Sequence, residues 1–362
     1  MAFHPEDRRF MKRTLLLARR GIGRVSPNPL VGAVIVRHGE VIAEGYHRSF
    51  GGDHAEVDAI KRARGDVKGG TLYVNLEPCC HWGKTPPCTD ALIKGGIKRV
   101  VVGTLDPNPS VNGKGVKILR EHGIEVEVGV LEEEARKLNE VYFNYILTGL
   151  PFVTIKYAQT LDGRIATSLG ESRWISSENS RKLAHRLRAQ HDAILVGIGT
   201  VLADDPSLTV RWTKGKDPLR IVLDSRLRIP LNAQVLLEEG DTLVVTTDQY
   251  DREKFAEIKK KGKEILIAQR DKKGWVELQP LLKTLIKKDV SSILVEGGRK
   301  VITSFLKDNL ANRMVIITAP LILGEGVAGI GDLGIMELKS AIKPSSYKVS
   351  RVGGDMVFDL RL

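Results

Sequence analysis

The scarcest reactive groups in this 362-residue chain are its 3 cysteines and 8 histidines. Cys79, Cys80 and Cys88 share one ten-residue window. That is no disulfide framework; clustered thiols point to a reducing compartment and to metal binding or catalysis. Upstream stands His54-Ala55-Glu56, whereas two other His-x-Glu triplets, His4-Pro5-Glu6 and His38-Gly39-Glu40, have no cysteine partners in view. Asp53 reads as a helix N-cap, which puts His54 and Glu56 in a first turn where side chains can converge on an ion beyond the helix end. Pro87 suits the first position of a second helix and would place Cys88 at a positive helix end that favours its thiolate.

One His and two Cys would leave the fourth tetrahedral position of a zinc ion open for water, as a catalytic site requires. Glu56, not itself a ligand, could take the water's proton and hand it to a leaving amine. A His-x-Glu followed by Pro-Cys and a second Cys is the pattern of zinc-dependent deamination. Two other uses compete. Cys79, Cys80, His81 and Cys88 could close a structural four-ligand site, although adjacent ligands crowd one ion. Cys80 could instead be a buried small apolar residue, the use favoured because Pro78 directly precedes Cys79.

The second half of the chain suggests a nucleotide. Gly197-Ile198-Gly199 follows a strand-like run, but Leu202 stands where a dinucleotide fingerprint needs its third Gly. Better placed is Glu296-Gly297-Gly298, between an apolar run and a helical stretch from Arg299. Paired glycines allow close approach of a phosphate, which the free N–H groups of the helix start then bind. An ordinary tight turn would look the same. Asp224 ends another strand and could bind a ribose hydroxyl, while Ser225 and Arg226 beside it could accept a 2′-phosphate, leaning towards NADPH. Loop polarity explains these three equally well.

The elements that must position these groups alternate. Residues 6–20 read as an amphipathic helix, 31–37 and 41–44 as strands joined at His38-Gly39, and 55–64 as a helix. Strands at 71–75, 99–103 and 124–128 alternate with helices after Pro87 and Asn112, and one long helix runs from Leu131 to Thr148-Gly149-Leu150-Pro151, where Gly ends it and Pro forbids continuation. Beyond that boundary, strands fall at 152–157, 193–196, 220–223, 242–246, 264–267, 292–295 and 314–318. A hairpin at 347–362 turns at Gly353-Gly354-Asp355. Two α/β domains follow, 1–148 and 149–362, the second richer in strands.

Composition agrees with a globular protein: 42% of residues are hydrophobic and 28% charged. The longest uncharged apolar stretch, residues 141–155, is broken by Asn144, Gly149 and Pro151, so no membrane span is expected. No signal h-region stands among the charges of the first 20 residues, which predicts a cytoplasmic protein. The net charge of +12 is spread along the chain. Its densest cluster, Lys259, Lys260, Lys261 and Lys263, reads as a solvated face, and a mild positive field suits phosphorylated small molecules.

Taken together, Pro27-Asn28-Pro29-Leu30-Val31-Gly32, His54-Ala55-Glu56, Glu77-Pro78-Cys79 and Gly83-Lys84-Thr85-Pro86-Pro87-Cys88 closely resemble the deaminase domain of the bifunctional riboflavin-biosynthesis deaminase/reductase family. The long spacer ending in Thr-Pro-Pro-Cys separates it from deaminases with Cys-x-x-Cys spacing; Cys80 departs from the small polar residue expected there. The resemblance implies zinc held by His54, Cys79 and Cys88, with Glu56 as proton shuttle. It puts Asn28, Lys84 and His47 at the substrate, where an Asn amide can read a pyrimidine edge and a lysine can meet a phosphate. A solvated loop lysine is the plain alternative for Lys84.

The resemblance continues through Lys156-Tyr157-Ala158, Leu161-Asp162-Gly163-Arg164, Gly170-Glu171-Ser172, Trp174-Ile175, Leu187-Arg188-Ala189, Thr200-Val201-Leu202-Ala203-Asp204-Asp205-Pro206 and Leu208-Thr209-Val210-Arg211. It implies a cytidine-deaminase-like α/β/α domain followed by a dihydrofolate-reductase-like α/β domain. By it, NADPH is held by Ala158, Trp174, Thr200, Asp204, Ser225 and the turn of Gly298, Arg299, Lys300, Val301, Ile302, Thr303 and Ser304. Ser172, Arg188, Leu208, Arg211 and Glu296 hold the ribose phosphate substrate. Arg188 and Arg211 suit a bidentate grip on phosphate. Lys156 and Asp204 are candidates to manage protons as the ribose opens and C1′ accepts hydride, unless they pair structurally.

The expected activity is thus two steps of riboflavin synthesis on a phosphorylated pyrimidine, in a homo-oligomer with no nucleic-acid partner. A tRNA-editing deaminase is the rival, drawn from the charge and the zinc motif; 5% aromatic residues and the lack of a basic stripe oppose it. A non-enzymatic zinc-stabilised nucleotide sensor would need a closed four-ligand site.

Overall fold

Apolar residues that alternate in sequence divide between the two faces of a sheet. In the computed structural model, which describes residues 4–362, that rule organises two compact units divided between Gly149 and Leu150. The first runs α1 (Pro5–Ala18), β1 (Gly32–Arg37), β2 (Glu40–Tyr46), α2 (Ala55–Arg62), β3 (Thr71–Leu76), α3 (Cys88–Lys94), β4 (Arg99–Thr104), α4 (Lys114–Glu121), β5 (Glu125–Val128), α5 (Glu132–Leu138) and α6 (Glu140–Thr148).

Its sheet has the order β2-β1-β3-β4-β5. β3, β4 and β5 are parallel, and β1 is antiparallel to both its neighbours. Ala33, Ile35, Leu72 and Val74 pack with Ala59 of α2, Leu92 of α3 and Leu119 of α4 on one face. Val34, Val36, Tyr73 and Val101 pack with Met11 of α1 and Ala135 of α5 on the other. Three layers result.

The long helix expected from Leu131 is two helices. Asn139 breaks it with φ −102° and ψ 21°, because its amide clamps Leu30: Oδ1 accepts from Leu30 N at 2.7 Å and Nδ2 donates to Leu30 O at 3.0 Å. Two satisfied, part-buried bonds outweigh continuity at a residue that gains little from a helix interior. Asn75 of β3 donates to Leu30 O as well and accepts from Gly32 N.

The second unit runs β6 (Phe152–Thr160), β7 (Arg164–Ala166), α7 (Glu178–Gln190), β8 (Ala193–Gly197), α8 (Ile198–Asp204), β9 (Leu219–Leu223), α9 (Gln234–Leu237), β10 (Thr242–Thr246), α10 (Arg252–Lys260) and β11 (Glu264–Ile267). It continues through α11 (Leu278–Ile286), β12 (Ser292–Gly297), α12 (Arg299–Lys307), β13 (Arg313–Ala319), β14 (Val327–Ala328), β15 (Ser346–Val352) and β16 (Asp355–Arg361). Nine strands order as β11-β10-β9-β8-β12-β6-β13-β16-β15, parallel from β11 to β13, with the terminal hairpin antiparallel. Val352 pairs with Asp355 across Gly353-Gly354, and Gly353 takes φ +61°. α11 and α12 cover one face; Leu187 of α7, Val201 of α8 and Ile258 of α10 belong to the cores of the other. Lys259, Lys260 and Lys261 are exposed where α10 ends.

Candidate active sites

β3 and β4 end side by side, and the helices α2 and α3 begin nearby. His54 is the cap residue of α2, with extended backbone, and Cys88 is the first residue of α3. Asp53 is not the cap expected; its carboxylate pairs with Lys61 at 2.6 Å. The ligand atoms of His54, Cys79 and Cys88 all lie within 4.8 Å of one another, with His54 Nδ1 3.2 Å from Cys88 Sγ and 3.4 Å from Cys79 Sγ. One imidazole and two thiols form a donor set that fits zinc and leaves a position for water. Hydrogen bonding by Cys88 and then His54 holds Cys79 down at about 4, near the thiolate form a metal needs.

Cys80 is neither a buried apolar residue nor a fourth ligand. It is half-buried, and its thiol points to Ser110 O at 3.7 Å; His81 is exposed. Glu56, in the first turn of α2, is 3% exposed, and burial pushes its carboxyl up to about 7.

A cavity of about 320 Å³ is lined by Asn28, His47, His54, Glu56, Cys79 and Lys84, among others. His47 Nδ1 lies 2.9 Å from Asp53 O, which can only accept, so that nitrogen carries the proton. Nε2 therefore accepts from Asn28 Nδ2 at 3.0 Å. Asn28 Oδ1 is left to read a donor, and His47 acts through Asn28. Sequence reasoning missed Phe50, Asp106, Asn108 and Tyr142, which line the same cavity. Tyr142 Oη donates to Asp106 at 3.0 Å, and burial pushes Asp106 up to about 6. The signal available was Asp106-Pro107-Asn108-Pro109 just after β4, because pockets of parallel sheets open at strand C-termini.

In the second unit, Arg188, Glu296 and Lys156 form one buried cluster. Arg188 Nε and Nη2 donate to the two carboxylate oxygens of Glu296 at 2.7 and 2.9 Å, and Nη1 donates to Thr209 O. The fork proposed for phosphate is thus taken by Glu296. Lys156 Nζ lies 3.7 Å from Glu296, so its ion pair is with that residue and not with Asp204. Asp204 accepts from Ser172 Oγ at 3.3 Å. Leu208 is buried with φ +57°. Arg211 is exposed; its backbone N–H donates to His185 Nδ1, and its guanidinium to Thr209 Oγ1.

β12 delivers Gly297-Gly298 to the start of α12, where no side chain caps the first N–H groups. A Cβ on Gly298 would stand 3.2 Å from Thr200 Oγ1, so the bare glycine keeps a cradle open that fits a cofactor phosphate. Arg299 and Lys300 are exposed, while Val301 and Ala158 are half-buried. Thr303 and Ser304 donate to Arg299 O and Lys300 O within the helix. Ile302 points into the core at 1% exposure and has only its backbone to offer a ligand. Trp174 is 66% exposed beneath the Arg181 guanidinium. Ser225 Oγ accepts from Val276 N at 3.2 Å. Asp224 is fully buried and its carboxylate accepts from Ile229 N, which removes it from any ribose.

Residues 151–358 match the RibD C-terminal domain. Residues 4–104 match the cytidine and deoxycytidylate deaminase zinc-binding region. Riboflavin biosynthesis protein RibD of Aquifex aeolicus is 50% identical over 353 residues, covering 97% of each chain. The chain belongs to the bifunctional riboflavin-biosynthesis deaminase/reductase family. Two solved structures of the family are also similar to it across 98% of both chains. One is a diaminohydroxyphosphoribosylaminopyrimidine deaminase/5-amino-6-(5-phosphoribosylamino)uracil reductase from Thermotoga maritima, with TM-score 0.86 and 40% identity. The other is RibD of Acinetobacter baumannii, with TM-score 0.88 and 37% identity.

Membership in this deaminase/reductase family makes the chain an enzyme of riboflavin biosynthesis that uses zinc and NADPH. Its fold is the one anticipated, a cytidine-deaminase-like unit followed by a dihydrofolate-reductase-like one. The tRNA-editing reading is not favoured. No helix among the described residues is long and apolar enough to cross a membrane.

Proposed function

We propose that domain 1–148 hydrolytically deaminates 2,5-diamino-6-ribosylamino-4(3H)-pyrimidinone 5′-phosphate. Domain 149–362 then reduces the ribosyl group of 5-amino-6-(5-phosphoribosylamino)uracil to ribityl. The observation that carries the reading is the convergence of His54, Cys79 and Cys88 beside buried Glu56 in a cavity whose exposed side includes Lys84.

Bound zinc supplies a Lewis acid that eases deprotonation of a water. His54, Cys79 and Cys88 hold it. Glu56 takes the water's proton and returns it to the departing amine nitrogen, so water enters and ammonia leaves. Asn28, oriented by His47, accepts from an N–H of the pyrimidine edge, and Lys84 meets the phosphate.

In the second domain NADPH supplies the hydride that C1′ accepts. Ala158, Trp174, Thr200, Asp204, Ser225 and the turn from Gly298 through Ser304 hold that cofactor. Lys156 and Asp204 manage the protons as the ribose ring opens. Ser172, Arg188, Leu208, Arg211 and Glu296 bind the ribose phosphate, with Arg188 fixed by Glu296 and offering its remaining N–H groups.

The protein is further read as a cytoplasmic homo-oligomer with no nucleic-acid partner. Support for assembly comes from β15, an edge strand with Tyr347 71% and Val349 40% exposed, since such edges are commonly covered. Mass spectrometry of the diaminopyrimidine phosphate, incubated with zinc-loaded protein with and without NADPH, tests the activity. Exchange of an amine for oxygen without NADPH, then gain of two hydrogens with it, is expected; an unchanged substrate overturns the reading.

A further inference from the structure

Lys84 stands on the exposed loop between Cys80 and Cys88. A lysine in such a place ordinarily keeps its rotamer freedom until a ligand fixes it, and that ordering weakens binding. Here the ammonium is already placed. Lys84 Nζ lies 3.7 Å from the centroid of the Phe50 ring, well within the ~6 Å range of a cation–π contact. Among the described residues no carboxylate lies within ion-pair distance of it.

The main chain that carries Phe50 is held in place, and its ring is 40% exposed. Its N–H donates to Arg24 O at 3.3 Å, and Gly52 N donates to Ser49 O at 3.0 Å across the turn. Gly51 between them takes φ +76°, a conformation that other residues resist. Phe50 and Lys84 both line the cavity that contains Glu56 and the His54–Cys79 pair. A carboxylate partner would hold the lysine by neutralising it, whereas an aromatic face holds it and leaves its charge available to an anion.

We infer that Phe50 is a positioning residue for deamination: its ring holds the Lys84 ammonium in place for the substrate's phosphate monoester. The inference rests on the reading of Lys84 as the phosphate ligand, and it adds a specificity-determining contact to that reading.

The test is steady-state ammonia release by the zinc-loaded full chain, on the phosphorylated pyrimidine and on its dephosphorylated counterpart. Phe50→Leu keeps an apolar side chain without the π face. It should raise KM for the phosphorylated substrate about two- to five-fold, leave kcat in place, and leave the dephosphorylated substrate unaffected. Phe50→Tyr should restore the wild-type KM. In a Lys84→Ala background Phe50→Leu should add nothing. Equal effects of Phe50→Leu on both substrates, a fall in kcat alone, or full additivity with Lys84→Ala would overturn the role of Phe50 while leaving that of Lys84. An unchanged KM for the phosphorylated substrate in Lys84→Ala itself would remove the reading of Lys84, and the inference with it.

Discussion

Arg188 and Glu296 face each other fork to fork, Nε to Oε1 at 2.7 Å and Nη2 to Oε2 at 2.9 Å, with Lys156 Nζ 3.7 Å from the same carboxylate. One buried anion between two cations leaves an unbalanced positive charge. That residue of charge suits the proposed role of the cluster at a phosphorylated sugar, even though the arginine's fork is already taken.

The same contact fixes a pH dependence. Burial alone would raise the Glu296 carboxyl, but Arg188 and then Lys156 outweigh it and hold it at about 2 against an ordinary 4.5. Its contribution to stability is therefore complete above about pH 4.5 and is lost as pH falls through about 2, an effect of about 3 kcal/mol. Unfolding by denaturant across that window should show the loss in the wild type. Glu296→Gln should lack that part of the slope and be less stable at neutral pH, by about 3 kcal/mol, because both cations are left unpaired.

Glu56→Gln should cut ammonia release by a factor on the order of 10²–10⁴. Metal analysis should still find one zinc, and NADPH oxidation with the aminouracil substrate should be unchanged. Treatment with a chelator, or Cys88→Ser, should remove zinc and ammonia release together and again spare NADPH oxidation. Loss of both activities in either case would contradict two independent sites.

Asn139→Ala removes both bonds to Leu30, two residues from Asn28. Leu30 N then loses its partner, while Leu30 O keeps the bond from Asn75, and stability should fall by about 1–3 kcal/mol. Asn28 should lose register, so KM for the pyrimidine should rise as well; a thermal melt and deaminase kinetics would read the two effects separately.

Gly298→Ala would bring a Cβ to 3.2 Å from Thr200 Oγ1. Filling the cradle should raise KM for NADPH on the order of tenfold, about 1.4 kcal/mol, while ammonia release stays at the wild-type rate. Parallel initial-rate measurements of the two half-reactions would check it.

Much of this was legible in one dimension. The residues of the His54–Cys79–Cys88 cluster, Glu56 two positions after His54 and the alternation of strands and helices are local signals, because ligand chemistry restricts residue type and sheet faces impose a period of two. The break at Asn139 was not legible, since its cause is a clamp on Leu30, 109 positions away in sequence. Asp224 looked like a ribose ligand by position, yet its burial turned it into a partner for Ile229.

Sequence alone determined which atoms could bind a metal, move a proton or grip a phosphate, for those are properties of side chains. Only the tertiary structure decided which of those atoms meet. Sheet order and burial gave Arg188 to Glu296, withdrew Cys80 from the metal, left Ile302 only its backbone for a ligand, and set Phe50 under Lys84, because distance and solvent access belong to the packed chain and not to its spelling.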